Sequence, residues 1–213
     1  GVATDASVSN SPKIDVWDMD TVSALYEACP TDNSKVCILN FASYKNPGGM
    51  FIKGSKAQEE CLCHDSFLYN VLKEFDGSYY EWNRKHLNNA LYMNRALYTP
   101  EVIFDADGKK GIVKADVITC AAPNYTTYNK YGSGIYAEKK AINSETLYKR
   151  ISYIRHILED HQDVSTLIFG AYGCGVFGQD AEEVALMFRD IFKESRFKHI
   201  IYAVPKGMDE RNH

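Results

Sequence analysis

Three stretches of the sequence are continuously apolar, and each runs into a turn or loop marked by glycine, proline or asparagine. They are KVCILNFA (35–42), ADVITCAAPN (115–124) and STLIFGAYG (165–173). An apolar run without polar interruption is typical of a strand that is buried on both faces, as in a parallel sheet covered by helices. Segments with helical spacing lie between these runs, and strand–loop–helix–strand units imply a mostly parallel sheet. The sequence therefore predicts an α/β fold.

The remaining segments extend this prediction. The dipeptide Asp107-Gly108 predicts strand, turn and strand over 96–113, and residues 125–136 are predicted to form a long polar loop. Ser144 is predicted to cap the N-terminus of a helix over 144–161. A short helix is expected within 79–89. The other predicted strands are 13–17 and 198–205, and the other predicted helices are 21–28, 58–75 and 181–194.

Length and charge bound the class of protein. The 213 residues suffice for one substantial core,, so we expect a single domain over 13–213. Residues 1–12 are small and polar, and we expect them to form a disordered lead-in. The net charge of -4 argues against a generally basic nucleic-acid binder, although Lys130, Lys139 and Lys140 could form a local basic patch,. No apolar run approaches the ~20 residues of a membrane helix. We expect a cytoplasmic monomer, or a nuclear one in a eukaryotic cell.

The cluster CLCH (61–64) raises the question of a metal site. On a helix, Cys61 and His64 share a face while Cys63 points elsewhere, and no fourth ligand is evident. The other cysteines are scattered and form no CxxC pair. We therefore expect reduced thiols and neither a metal site nor a cofactor.

The loop GCGVFG, from Gly173 to Gly178, matches G-x-G-x-x-G between a predicted strand and a predicted helix. Such glycines let backbone N–H groups approach a diphosphate, and the helix N-terminus adds positive potential. The alternative is a tight turn that only needs positive φ. A dinucleotide site fits poorly, because the next strand ends in Pro205 where an acidic residue would hold a ribose.

The stretch NPGGMFIKGSKAQEE (46–60) also follows a strand. Gly48 and Gly49 can bring the backbone close to a ligand, and Gln58, Glu59 and Glu60 lie at the start of a predicted helix. Carboxylates are common there because they complement the helix dipole. Adjacent glutamates leave a helix about 100° apart, so they would take different roles on one ligand. Their mutual repulsion can raise one pKa, which would permit proton donation near neutral pH.

Two segments together resemble a known family. LNFASYKNPGGMFIKGSKAQEE resembles the signature of poly(ADP-ribose) glycohydrolases, and LIFGAYGCGVFGQD is similar to their diphosphate loop. The segments APN (122–124) and LYTP (97–100) are similar to the microbial-type branch, and the resemblance covers about 25–204. It implies a macrodomain, a three-layer α/β/α sandwich with a mixed, mostly parallel sheet. It also implies an ADP-ribose pocket across the carboxyl ends of the strands.

The resemblance implies roles for individual residues. Glu60 would be the catalytic acid/base, and Glu59 would hold hydroxyls of the distal ribose. Phe177 would pack on the ribose, and Asp20 would meet the adenine. The other residues implied around the ligand are Asn40, Ser43, Gly48, Gly49, Gln58, Asn124, Gly173, Cys174, Gly175, Val176 and Gly178.

The chemistry is consistent with these roles. Glycosidic cleavage normally uses two carboxylates that flank the bond, and adjacent glutamates cannot flank it. One carboxyl must therefore protonate the leaving oxygen and then activate water. The departure from the family is Met50, which replaces a third glycine. We expect either that this loop opens or that the Met50 side chain points away and packs.

The leading hypothesis is a glycosidase that releases ADP-ribose from poly(ADP-ribose) or from ADP-ribosylated targets. One alternative is a reader that binds ADP-ribose without catalysis. Another is a hydrolase that removes a single ADP-ribose from a modified protein or nucleobase. A nucleic acid would be a partner only where it carries the modification.

Overall fold

The computed structural model describes residues 11–28, 30, 32–54 and 56–206, so most of the predicted 1–12 lead-in lies outside the described residues. Six strands form one sheet in the order β1-β6-β5-β2-β4-β3. All neighbouring strands are parallel except β3 and β4. The strands are β1 (Lys13–Trp17), β2 (Lys35–Phe41), β3 (Leu97–Phe104), β4 (Val113–Cys120), β5 (Val164–Phe169) and β6 (His199–Ala203).

Helices cover both faces of this sheet. They are α1 (Thr21–Ala28), α2 (Gln58–His64), α3 (Leu68–Leu72), α4 (Glu81–Lys85), α5 (Tyr125–Tyr131), α6 (Tyr136–Glu159) and α7 (Ala181–Phe192). Shorter helical turns span Phe51–Lys53, Lys73–Phe75, Asp76–Tyr80 and Asn88–Ala90. Among the described residues, no helix has both the length and the apolar content needed to cross a lipid bilayer.

The two faces of β2 show why the sheet is a middle layer. Cys37 and Leu39 point into a core with α6 and α7, whereas Val36 and Ile38 point into a second core with α1, α2 and α3. Successive side chains of a strand point to opposite faces, so an uninterrupted apolar run serves both cores. The prediction of a three-layer α/β/α fold with a mixed, mostly parallel sheet is confirmed.

The hairpin prediction is also confirmed, since β3 and β4 are antiparallel and the Lys109 amide donates to the Ala106 carbonyl across the turn. The single helix predicted over 58–75 is wrong. It is interrupted after His64, where Ser66 forms a bridge with Phe104 of β3. The backbone pairs with the sheet edge at this point, which overrides the helical spacing.

Two further predictions are wrong at the start of α6. The predicted polar loop over 125–136 contains α5, whose N-cap Asn124 accepts a hydrogen bond from the Thr127 amide. Helix α6 begins at Tyr136, so Ser144 lies inside the helix and does not cap it. The first turns of α6 are almost wholly exposed, and they therefore carry no apolar periodicity to reveal a helix,.

Candidate active site

The loops after β1, β2, β4 and β5 lie at one edge of the sheet, because these strands are parallel and share their carboxyl ends,. The loop after β2 carries Gly48 and Gly49 and leads to α2, where the two glutamates lie. The loop after β5 carries the stretch from Gly173 to Gly178. Strand order thus brings together the two motifs that are far apart in sequence.

Glu59 lies in the first turn of α2 and is almost completely buried. Its Oε1 accepts a hydrogen bond of 2.8 Å from the Ser43 amide, and its Oε2 accepts one of 2.9 Å from Asn40 Nδ2. Burial raises the pKa of the Glu59 carboxyl to about 8, against the lowering effect of these donors,. Repulsion from Glu60, which the adjacent glutamates in the sequence suggest as the cause, contributes less to this rise than burial does.

Asn40 links the carboxyl to the neighbouring strand. The same Nδ2 also donates to Thr119 Oγ1 of β4 at 3.1 Å. Asn40 Oδ1 is buried without a hydrogen-bond partner in the described part of the chain. A buried acceptor without a donor is uncommon in proteins, and this one lies directly beside the carboxyl of Glu59.

Glu60 is hydrogen-bonded to the loop after β2. Its Oε1 accepts a hydrogen bond of 3.1 Å from the Met50 amide. A Cβ atom added at Gly49 would lie 3.0 Å from Oε1 of Glu59 and 3.0 Å from Oε1 of Glu60. The two carboxylates therefore converge on Gly49, although their side chains leave the helix in different directions. Gly49 has φ +60°, and its missing side chain leaves the space that the acids occupy,.

Met50 itself causes no strain in this turn. Its φ is -101°, a value that any residue adopts,. The turn is closed, since the Gly49 amide donates to the Asn46 carbonyl and the Phe51 amide donates to the Gly48 carbonyl. Of the two alternatives, opening of the loop is not needed, and Met50, which is 45% exposed, packs only in part.

Gln58 connects the glutamate helix to the sheet. Its Oε1 accepts a hydrogen bond of 2.8 Å from the Phe41 amide, and its Nε2 donates to the Leu39 carbonyl at 2.9 Å and to Thr21 Oγ1 at 3.2 Å. These three bonds fix α2 against β2 and α1. The Gln58 side-chain amide is therefore hydrogen-bonded within the protein, where it positions Glu59 and Glu60.

The second loop is folded around Gly173 and Gly178, which have φ values of +74° and +68°. Gly178 donates to the Gly175 carbonyl, and Gln179 donates to the Gly173 carbonyl. Within the described residues, four backbone amides of this loop donate no hydrogen bond, those of Gly173, Gly175, Val176 and Phe177. A run of free amides is a suitable cradle for an anion.

Helix α7, which follows this loop, contributes less to anion binding than the sequence suggests. Asp180 caps α7 by accepting a hydrogen bond from the Glu183 amide, and the first turn also carries Glu182. These acids offset the positive potential of the helix N-terminus. The capacity of the loop to hold an anion therefore rests on its own amides.

Three residues of the predicted site point partly into the protein. The Cys174 thiol is buried, which raises its pKa, and the Cys174 amide donates to the Ala171 carbonyl. Phe177 is half-buried with its ring 5.9 Å from the ring of Tyr92, and its carbonyl accepts from the Thr126 amide. Asn124, as the cap of α5, lies beside this contact.

Asp20 lies at the far end of the same edge, after β1. It is exposed, and its Oδ1 accepts a hydrogen bond of 2.7 Å from the Ser23 amide at the start of α1. The next residue, Thr21, accepts a hydrogen bond from Gln58 Nε2 through its Oγ1. Two strands, β6 and β5, separate β1 from β2 in the sheet. Asp20 therefore lies at the carboxyl ends of the parallel strands, as the glutamates do, but with two strands between them.

The residues considered for a metal site do not assemble. Cys63 is buried, whereas His64 is exposed and lies 3.8 Å from Asp107. In the described ranges no group of three or more histidine, cysteine or acidic side chains has the arrangement of a metal site. The predicted basic patch is also partly engaged, because Lys139 Nζ donates to the Asn129 carbonyl at 2.6 Å.

Arg150 is the residue near the site that sequence reasoning missed. It is fully buried, and its guanidinium donates to Asn94 Oδ1 and to the carbonyls of Ala121, Leu91 and Tyr92, all between 2.7 and 2.9 Å. An arginine on the apolar stripe of α6, beside Leu147 and Ile151, was the available signal. It fixes the chain between α4 and β3 to the end of β4.

Known proteins place this geometry in context. The family described as the catalytic domain of microbial-type poly(ADP-ribose) glycohydrolase (PARG) matches residues 3–105. The chain is similar to the PARG of Deinococcus radiodurans, solved in complex with ADP-ribose, with 32% identity and a TM-score of 0.81 over 91% of this chain and 77% of that chain. It is also similar to the PARG of Thermomonospora curvata bound to the inhibitor ADP-HPD, with 29% identity, a TM-score of 0.80, and 91% and 73% of the two chains covered. None of the curated proteins compared matches the sequence.

Proposed function

Since this chain belongs to the microbial-type poly(ADP-ribose) glycohydrolases, we propose that it is an ADP-ribosyl glycohydrolase. It would hydrolyse O-glycosidic bonds to the distal ribose of poly(ADP-ribose) or of ADP-ribosylated targets and release ADP-ribose. The observation that carries the proposal is the convergence of Glu59 and Glu60 on Gly49 at the edge that also holds the free amides of the second loop.

The ligand would extend along this edge. The free amides of Gly173, Gly175, Val176 and Phe177 would bind the diphosphate, and the distal ribose would lie between Phe177 and the glutamates. Asp20 would meet the adenine at the β1 end. Gly48 and Gly49 would allow the backbone to approach the ribose and diphosphate closely. Asn40 and Ser43 would act on the ribose indirectly, because both hold Glu59.

Glu60 would be the acid and then the base. Its Oε1 is held by the Met50 amide, while its Oε2 has no hydrogen-bond partner within the described residues. Glu60, in its protonated form, would give its proton to the leaving oxygen as the C–O bond breaks. The resulting carboxylate would take a proton from the water that attacks the oxocarbenium-like carbon. The water oxygen then becomes the anomeric hydroxyl of ADP-ribose.

Glu59 would support this step as a neutral acid. A pKa of about 8 keeps most of the Glu59 carboxyl protonated at pH 7. Its O–H would donate to a ribose hydroxyl, as buried neutral carboxyls do in other enzymes. A neutral neighbour also adds no charge repulsion when Glu60 ionises.

The test compares Glu60→Gln with the wild type. Glutamine keeps an acceptor for the Met50 amide but cannot transfer the proton, so we expect kcat to fall by about 10²- to 10⁴-fold. The dissociation constant for ADP-ribose should change by no more than about threefold, because the variant keeps the binding groups. Free ADP-ribose released from polymer, from a mono-ADP-ribosylated serine peptide and from ADP-ribosylated DNA gives the rates, and calorimetry gives the affinity.

Glu74→Gln is the matched control, since Glu74 is exposed and lies on a helical turn away from the site. It should behave as the wild type. Undiminished turnover in Glu60→Gln would refute the acid/base role. Tight binding of ADP-ribose by the wild type with no release from any of the three substrates would show a reader. Size-exclusion chromatography of the same samples tests the expected monomer, and cell fractionation tests the expected cytoplasmic location.

A further inference from the structure

A cavity of about 310 Å³ lies beside the glutamate loop, over the end of β4. We refer to it as the β4 cavity. Its volume is at the lower end of the range of about 300–1,000 Å³ for small-molecule sites, so it suits a single nucleotide better than a whole ADP-ribose. Neither glutamate lines it. The lining groups that matter here are Lys45, Asn89, Tyr92, Asn124, Thr127 and Tyr131.

The order of the strands indicates which part of the substrate would lie at this cavity. Along the edge the order is β1, β6, β5, β2 and β4. Asp20 follows β1, the free amides follow β5, and the glutamates follow β2. If ADP-ribose lies along this order, with adenine at β1, its reacting carbon is at β2. The group bonded to that carbon then extends toward β4, which is where the cavity lies. This step rests on the proposed function.

One wall of the cavity is a segment with positive φ values that hydrogen bonds hold in place. Asn88, Asn89, Ala90 and Tyr92 all have φ between +49° and +68°, a conformation that residues other than glycine rarely adopt,. Strained backbone of this kind persists only where its surroundings hold it, and it is concentrated at ligand sites. Arg150 supplies that support, because its Nη2 donates to the carbonyls of Leu91 and Tyr92 at 2.9 Å. The Asn124 amide donates to the Ala90 carbonyl at 2.8 Å.

The chemistry of the lining indicates what the cavity binds. Lys45 has no ion-pair partner, and the Asn89 side chain makes no hydrogen bond, within the residues that the structure describes. Tyr131 exposes 75% of its surface, and Lys130 Nζ lies 5.3 Å from the centre of its ring. A free cation, a free amide and an exposed aromatic face together match a phosphate, the edge of a base and the face of a base.

We propose that the β4 cavity is an acceptor subsite, which binds the nucleotide to which the distal ribose is joined. Lys45 pairs with its phosphate, Tyr131 stacks on its base, and the Asn89 amide bonds to the edge of the base. Such a nucleotide is either the preceding unit of a poly(ADP-ribose) chain or a nucleotide of ADP-ribosylated nucleic acid. A mono-ADP-ribosylated peptide has neither base nor phosphate on the acceptor side and leaves the cavity unused.

The first experiment compares substrates that share ADP-ribose and differ in the acceptor. The triple variant Lys45→Ala, Asn89→Ala, Tyr131→Ala should lower kcat/KM by at least about tenfold, equal to about 1.4 kcal/mol, on poly(ADP-ribose) or on ADP-ribosylated DNA. On a mono-ADP-ribosylated serine peptide it should stay within twofold of the wild type. A loss on polymer alone identifies the polymer as the source, and a loss on DNA identifies nucleic acid. An equal loss on all three substrates, or no loss on any, would overturn the proposal.

Lys109→Ala is the matched control, because Lys109 lies in the β3–β4 turn at the opposite edge of the sheet. A second measurement separates this proposal from the proposed function. In the Glu60→Gln background, a dimer of ADP-ribose should bind at least tenfold more tightly than ADP-ribose, and the triple variant should lose this difference while its affinity for ADP-ribose stays the same. If the wild type hydrolyses nothing, the glycohydrolase assignment fails, but the dimer measurement still decides the acceptor subsite. Equal affinities for dimer and monomer would refute it.

Discussion

The loop after β2 and the loop after β5 both turn on glycines with positive φ, yet their backbone amides differ in what they bind. In the first loop, the amides of Ser43 and Met50 donate to the carboxyl groups of Glu59 and Glu60. In the second loop, the amides of Gly173, Gly175, Val176 and Phe177 donate to no group in the described part of the chain. One loop is completed by the protein's own acids. The other leaves donors for an anion, so similar glycine patterns produce opposite electrostatic surfaces.

Among changes to the glycines and neighbouring residues of the two loops, the largest effect is expected from filling the space in the first loop. In Gly49→Ala the new Cβ lies 3.0 Å from both carboxyl groups, which must move. Displacement of catalytic groups is costly, and we expect kcat to fall by roughly tenfold to a hundredfold. Steady-state kinetics on poly(ADP-ribose) measure this. Gly54→Ala is the matched control, since Gly54 has φ +78° and open space around its Cβ. Equal losses in both variants would show that backbone strain, and not the glutamates, is responsible.

The second prediction concerns the buried acid. Below about pH 4.5 the Glu59 carboxyl is protonated in both the folded and the unfolded chain. As the pH rises from there to about 8, the unfolded chain loses this proton while the folded chain keeps it, so the Glu59 contribution to stability decreases over this window,. Glu59→Gln removes this loss, at the expense of one hydrogen bond from Asn40 or Ser43. We expect the stability of the variant relative to the wild type to rise by up to a few kcal/mol between pH 5 and pH 8.

Denaturant unfolding at several pH values measures this difference. Glu74→Gln, at an exposed position, should show no such pH dependence relative to the wild type. A constant difference between Glu59→Gln and the wild type would show that the Glu59 carboxyl is ionised throughout, which contradicts the burial argument.

The third prediction breaks the second loop. A Cβ at Gly178 would overlap Thr126 Oγ1, and its φ of +68° is unfavourable for alanine,. We expect Gly178→Ala to weaken ADP-ribose binding by about tenfold with a smaller effect on kcat, because the amides move while the glutamates stay. Calorimetry with ADP-ribose and kinetics measure the two quantities. Adding Thr126→Ala should restore part of the affinity, and Gly108→Ala, with open space and φ +76°, should leave it unchanged.

The smallest effect is expected at Met50. Its φ of -101° does not require glycine, so Met50→Gly should change kcat/KM by less than about threefold. The variant should lose about 0.5–1 kcal/mol of stability through the added freedom of the unfolded chain. A large gain in turnover on polymer would instead show that the Met50 side chain obstructs the substrate.

The sequence predicted the parts of the structure that follow from local patterns. Every long apolar run became a strand, and helix α7 follows its amphipathic spacing. The two glycine motifs were placed at the correct edge, because strand direction decides this without any side-chain detail. These features depend only on which residues are apolar and in what order.

Tertiary contacts account for most of what was missed. The helix over 58–75 ends early because Ser66 pairs with β3, a partner that lies far along the chain. The pKa of Glu59 depends on how deeply the carboxyl is buried, which no spacing of residues reveals. Arg150 binds backbone carbonyls from two other segments, and carbonyls are present at every residue. The sequence shows an arginine on the apolar stripe of α6, but it does not show which carbonyls the guanidinium binds.

The pairing of β1 with β6 has a consequence for synthesis. The first and last strands are neighbours, with Lys13 opposite His199 and Trp17 opposite Ala203. A ribosome releases β1 long before β6 exists, so β1 has no β6 partner while residues 18–198 are synthesised. Contacts of such large sequence separation form slowly and leave strand edges open to other chains. The end of the cleft that includes Asp20 is therefore completed last, and nascent chains that stop short of β6 are expected to need chaperones to remain unaggregated.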